Sequence, residues 1–221
     1  MTGSGLVLRK LTLAIDGQVL LRDFDLAIAP GRIVTVMGPS GCGKSSLLAA
    51  ITGVLEPAFR FSGDLLINGR AIGLLPPERR RVGILFQDDL LFPHLSVRDN
   101  LAFAIPPDRR GVARRKLVQD ALADAQLGGL GERDPASLSG GQRARVSLMR
   151  TLLSQPEALL LDEPFNKLDA ALRQQFRSFV FERAGRLGIP TLLVTHDRED
   201  APAGEPILVW PDPISGGIDV R

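Results

Sequence analysis

Gly38-Pro39-Ser40-Gly41-Cys42-Gly43-Lys44-Ser45 is the stretch on which the fold turns. It fits the spacing G-x4-G-K-[ST]. Before it stands Ile33-Val34-Thr35-Val36-Met37, a β-branched run that marks a buried parallel strand. After it, Ser45 through Ile51 reads as a helix that ends near Gly53. Glycines let backbone N–H groups curl inward around phosphate oxygens, and the helix that follows turns its positive end toward the same anion. The pattern predicts a strand–loop–helix unit built around the phosphates of a nucleotide. Lys44 is placed to reach the β- and γ-phosphates, the Ser45 hydroxyl to bind Mg²⁺, and Ser46 to complete the loop's contacts.

A second strand points at the same place. Ala158-Leu159-Leu160-Leu161-Asp162-Glu163-Pro164 is an apolar run that ends in two acids. Alone, such a pair caps a helix. With a phosphate loop 118 residues earlier (162 − 44), Asp162 falls at the carboxyl end of a sheet, where such folds bind ligands and where it can hold Mg²⁺. Glu163, one residue on, can orient and deprotonate an attacking water.

The rest of the chain arranges itself around these strands. Leu6, Leu8, Leu11, Leu13 and Ile15 alternate, Asp16-Gly17 is a turn, and Phe24, Leu26 and Ile28 alternate again, which predicts a small antiparallel sheet. Short strands are expected at Asp64–Ile67 and Val82–Phe86. From about Asp88 to Gln155 the pattern is helical, with one helix over Gly140–Ser154 that Pro156 stops. Strand character returns at Thr191–Thr195 after a helix over Ala170–Leu187, and Ile207–Trp210 is a last candidate strand. The fold class is α/β, a parallel core with an inserted helical block of roughly sixty residues.

Composition narrows the function classes. Of 27 cationic residues only Lys10, Lys44, Lys116 and Lys167 are lysine, and against 25 acids the net charge is +2. A large nucleic-acid footprint is not expected. The arginine runs Arg79–Arg81, Arg109-Arg110 and Arg114-Arg115 read as solvated faces. No apolar run approaches the roughly 18 residues of a membrane helix, and one cysteine cannot form an internal disulfide, so a cytosolic protein is expected.

Leu138-Ser139-Gly140-Gly141-Gln142 precedes the Gly140 helix. Helix N-terminal amides form an anion site and Ser139 adds a hydroxyl, although a serine N-cap ahead of glycines would read the same way. The combination of this segment with the phosphate loop and Leu159–Pro164 resembles an ABC-type ATPase, over about Leu6 to Asp197. The resemblance implies a P-loop NTPase fold: a RecA-like parallel sheet with an N-terminal antiparallel β subdomain, and an inserted helical subdomain that carries the signature. One ABC domain is implied over residues 1–221, with a core at about 1–87 and 156–221, a helical part at 88–155, and no C-terminal regulatory domain. It implies ATP and Mg²⁺ as cofactors, and ATP hydrolysis coupled to transport. Gln87, 43 residues after Lys44 (87 − 44), matches the family's Q-loop glutamine, which touches Mg²⁺ and the attacking water. His196, 34 residues after Asp162 (196 − 162), matches the switch histidine, which contacts the γ-phosphate and helps position Glu163. Asn166-Lys167-Leu168-Asp169 stands at the D-loop; Leu168 and Asp169 fit the family's Ser-Ala-Leu-Asp, whereas Asn166 and Lys167 depart from it. Members work as homodimers with ATP between the P-loop of one subunit and Leu138–Gln142 of the other.

Two departures concern the nucleotide. The family's adenine-stacking aromatic falls near Ile15, and the chain has no tyrosine, so apolar contact replaces stacking there. Cys42 occupies a variable loop slot; it reads as a small filler beside backbone amides, with thiol reactivity as the alternative. Leu91–Val97, including His94 as a loop residue, resembles the importer surface that meets a membrane subunit, and the run Gly83–Val97 is most like short thiamine-type importer subunits. The partners so implied are integral membrane permease subunits and a periplasmic or extracellular solute-binding protein, with the chain peripheral on the cytoplasmic face of the membrane. An exporter subunit, a soluble ABC ATPase acting on DNA or ribosomes, and a P-loop kinase remain the alternatives.

Overall fold

The computed structural model describes residues 4–210 and the strand at 219–220. In chain order the strands are β1 (Leu6–Ile15), β2 (Gln18–Ile28), β3 (Ile33–Met37), β4 (Phe59–Ile67), β5 (Arg70–Ala71), β6 (Val82–Leu85), β7 (Ala158–Asp162), β8 (Thr191–Thr195), β9 (Ile207–Val209) and β10 (Asp219–Val220). The α-helices are α1 (Lys44–Thr52), α2 (Pro77–Arg80), α3 (Val97–Ala104), α4 (Gly111–Asp124), α5 (Gly140–Leu153) and α6 (Ala170–Arg186). The chain forms two compact units.

The first unit takes in the chain up to Ile84, Glu157–Glu163 and the chain from Phe181 onward. Its antiparallel sheet runs in the order β2-β1-β4-β5, and its other sheet β10-β9-β3-β8-β7-β6. In the second sheet β3 pairs in parallel with both β8 and β9, and β7 in parallel with β8. The residues of β3, β7 and β8 are buried almost without a break, which is why their sequences read as continuous apolar runs. Alternation in β1 has the other cause: Leu6, Leu8, Leu11 and Leu13 are buried and meet one apolar face, and register shifts between Leu8 and Leu13 keep all four on it. Parallel β3, β7 and β8 end at Met37, Asp162 and Thr195, so three carboxyl ends lie side by side.

One arginine run is not the solvated face that its sequence suggests. Arg80 is buried. Its guanidinium donates to the carbonyls of Ala50, Ile51, Gly73 and Leu75 at 2.7 to 3.0 Å. Four acceptors compensate the desolvation that pushes its pKa down, and the carbonyls at the end of α1 gain donors they would otherwise lack. Arg79 and Arg81 stay exposed.

The second unit comprises Leu85–Pro156 and Pro164–Val180. Helix α5 is its spine. Gly141 faces Leu172, Arg145 lies over the Phe179 ring at 5.3 Å, and α3 and α4 pack against α5. Asn100, fully buried on α3, accepts from Phe92 N and donates to the carbonyls of Phe92, Leu95 and Ser96. One side chain thereby fixes the whole 92–96 loop, with His94 exposed at its tip.

Candidate active site

The phosphate loop leaves β3 at Met37. Gly38 N donates to Thr195 O, which ties the start of the loop to the end of β8. Gly41 and Gly43 have φ of +79° and +109°, conformations that a Cβ would strain, so the glycine spacing is a requirement of the backbone path. Gly43 is the N-cap of α1, no side chain caps that end, and its first turn holds no acid. The first-turn amides are therefore left for an external anion. Lys44 is buried. Its ammonium donates to Gly38 O and Pro39 O at 2.8 and 2.7 Å and lies 4.0 Å from Cys42 Sγ. Ser40, Gly41 and Ser45 are exposed, and Ser46 and Cys42 half-buried.

Asp162 ends β7 two strands away. Burial pushes its carboxyl above the usual carboxylate range; the Ser45 hydroxyl bonded to it counters this, Glu163 adds to it, and Lys44 opposes it. A carboxylate and a hydroxyl meeting beside a buried ammonium are hard oxygen donors of the kind that suits Mg²⁺.

Glu163 turns the chain out of the sheet. Its φ is +46°, a left-handed conformation uncommon outside glycine, and its N–H still donates to Val194 O at 2.9 Å. Its Oε1 lies 3.4 Å from His196 Nδ1. The imidazole is half exposed, but the turn that carries it is fixed from below. Thr195 Oγ1 donates to Asp200 Oδ2 at 2.7 Å, both residues fully buried, and accepts from Asp197 N. The sequence reading passed over Asp200; its signal is an acid four residues after the histidine. Lys44, Ser45, Asp162, Glu163 and His196 thus converge in the first unit. Ile15 ends β1 at the hairpin, half-buried opposite Gln18. The side chains that close on Gly43 are Leu20 and Trp210, neither of which the sequence singled out as a site residue.

Gln87, Leu138–Gln142 and Asp169 belong to the second unit. Gln87 is exposed just beyond β6. The residues after it are tied down: Asp88 pairs with Lys167, and Asp89 accepts from Arg143 at 3.1 Å. Burial pushes the Asp89 carboxyl up while Arg143 holds it down. Ser139 caps α5, accepting from Gln142 N, and the Gln142 side chain accepts from Ser139 N, a reciprocal capping box. Each side chain accepts from the other residue's backbone N–H, whereas Gly140 and Gly141 bring only backbone to that end. Asp169 accepts from Leu172 N at 2.9 Å and so caps α6.

The family model for ABC transporters matches residues 21–166. The chain belongs to the ABC transporter family. It is 49% identical over 203 residues to YnjD of Escherichia coli (strain K12), an uncharacterised ABC transporter ATP-binding protein, a match that covers 92% of this chain and 94% of that one. It is 41% identical over 197 residues to the spermidine/putrescine import ATP-binding protein PotA of Oleidesulfovibrio alaskensis, covering 88% and 52%. It is 40% identical over 209 residues to the Fe(3+) ions import ATP-binding protein FbpC 1 of Rhizobium meliloti, covering 93% and 58%. The chain therefore spans about half the length of these import proteins. As an ABC ATP-binding subunit it binds ATP and is an ATPase. No helix among the described residues is long and apolar enough to cross a membrane.

Proposed function

We propose that the chain is the ATP-hydrolysing subunit of a binding-protein-dependent importer of a small solute. In this reading it works as a homodimer on the cytoplasmic face of the membrane, beneath two permease subunits. The observation that carries the reading is the Glu163–His196 pair, held one residue beyond an Asp162 carboxylate that meets Ser45 of the phosphate loop. Import is supported by the names of the relatives, which act on polyamines, Fe(3+), sulfate/thiosulfate and maltose. That related ATP-binding proteins serve such different solutes supports cargo choice residing in other chains.

The geometry supports the following roles. First-turn amides of α1 and the Lys44 ammonium hold the phosphates. Ser45 and Asp162 are the residues that would hold Mg²⁺, which when bound supplies positive charge to the phosphate oxygens. Glu163 takes a proton from the attacking water as the γ-phosphate departs as inorganic phosphate, and His196 orients both. Gln87, by its motif position, assists with the water. Ser139–Gln142 of a facing subunit completes the site, so ATP closes the dimer and hydrolysis reopens it.

Glu163→Gln keeps the shape and removes the base. Hydrolysis should fall by about 10²-fold or more while ATP is retained, and size exclusion with ATP should show a dimer. A variant that stays monomeric with ATP and hydrolyses normally would sink the reading.

A further inference from the structure

Trp210, the one tryptophan of the chain, stands immediately after β9 and is 6% exposed. Its N–H donates to Met37 O at 2.6 Å, extending the β9–β3 ladder to the last residue before the phosphate loop. Its side chain then runs along the loop itself. A Cβ built on Gly38 would lie 2.6 Å from Trp210 Cβ, and one on Gly43 would lie 3.2 Å from Trp210 Cζ2. The residue therefore touches the first and the last glycine of the loop at once, and Leu20 and Cys42 fill the space beside it.

A loop that turns N–H groups toward phosphate keeps few internal hydrogen bonds to brace itself. Among its side chains Lys44 bonds Gly38 O and Pro39 O, while Pro39, Ser40 and Gly41 are exposed. Packing against something rigid adds to that hold, and an indole supplies a large flat surface with few rotatable bonds. We propose that Trp210 is a positioning residue of the phosphate loop, holding the Gly38–Gly43 arch in the shape that receives ATP. The same contact makes its emission a report on occupancy of the loop. This rests on ATP occupying that loop.

Two measurements on the full chain test it. In the wild type, tryptophan emission is followed during a Mg·ATP titration while retention of radiolabelled ATP is measured separately by filter binding. Emission should change and saturate with the same midpoint as retention. Trp210→Leu should raise the KM for ATP about 10-fold with kcat within about 3-fold, because the loop's binding shape is lost and the reacting groups are untouched. Trp210→Phe should recover most of the loss, and it decides the matter if the leucine variant does not fold. Normal retention with flat emission, or an unchanged KM in the variants, overturns the role of Trp210 alone. A wild-type chain that retains no ATP overturns the site reading, and this inference with it.

Discussion

Asp162 bears a cost that its chemistry requires. Burial raises its folded-state pKa, so the ionised carboxylate at neutral pH is less comfortable in the native chain than in the unfolded one. For a raised carboxyl the sign is fixed: its contribution is most favourable below the unfolded pKa and is lost as pH rises through the folded one. Asp162→Asn removes the charge, and the amide can keep the bond to Ser45. Thermal unfolding without nucleotide should shift upward by a few degrees at pH 7.5, the gain should shrink toward pH 4, and ATPase activity should disappear. A lower midpoint at pH 7.5 would refute this. Glu163 tells the same story through the backbone. Glu163→Gly relieves a left-handed φ and should stabilise the empty protein by about 1 kcal/mol in urea while abolishing hydrolysis. At this scale the clustering of Lys44, Ser45, Asp162 and Glu163 was legible because it follows from local order along the chain. Asp200 and Trp210 were not, since each acts by touching a residue that the sequence does not set beside it in any periodic pattern.

Helix α1 carries the catalytic loop at one end and leans on Arg80 at the other. The sequence showed the helix and its glycine stop. It did not show that the middle arginine of Arg79–Arg81 reaches back some thirty residues to the α1 carbonyls, because a charge run has the same spelling whether it is solvated or buried. Arg80→Ala leaves four carbonyls short of a donor and should cost about 3 to 5 kcal/mol in urea unfolding, with Arg80→Lys recovering only part, since an ammonium cannot match the fork of a guanidinium. Gly53→Ala tests the same joint from the other side. Its φ is +88° and its Cβ would lie 2.6 Å from Arg80 Nε, so it too should destabilise. Either variant matching wild type would show that the joint carries no weight.

Across the molecule, the alternation of β1 and β2 and the unbroken apolar runs of β3, β7 and β8 announced two kinds of sheet. What they could not announce is the order β9-β3-β8-β7, which depends on which carboxyl ends must lie together to make a site. Nor could they show that Pro164–Val180 would gather with the helical unit, a grouping supported by packing such as Gly141 against Leu172. Because the proposed site draws on residues far apart in the chain, filling it should be felt by the whole fold. In the Glu163→Gln background, Mg·ATP at 100 times its Kd should add about 2.7 kcal/mol by mass action and raise the unfolding midpoint by several degrees. Adding Lys44→Ala should erase the shift; a shift that survives would place the nucleotide elsewhere.

The Ser139–Gln142 capping box has a consequence for fidelity in a crowded cell. A helix end whose Ser139 and Gln142 amides are already engaged gives little welcome to stray sulfate or inorganic phosphate, since any such visitor must first displace a bond worth about 1 kcal/mol. In the proposed homodimer an anion would arrive already ordered by a facing copy, and that exchange would cost it less. In the proposed dimer the helix end would thus discriminate by how an anion is presented as well as by charge.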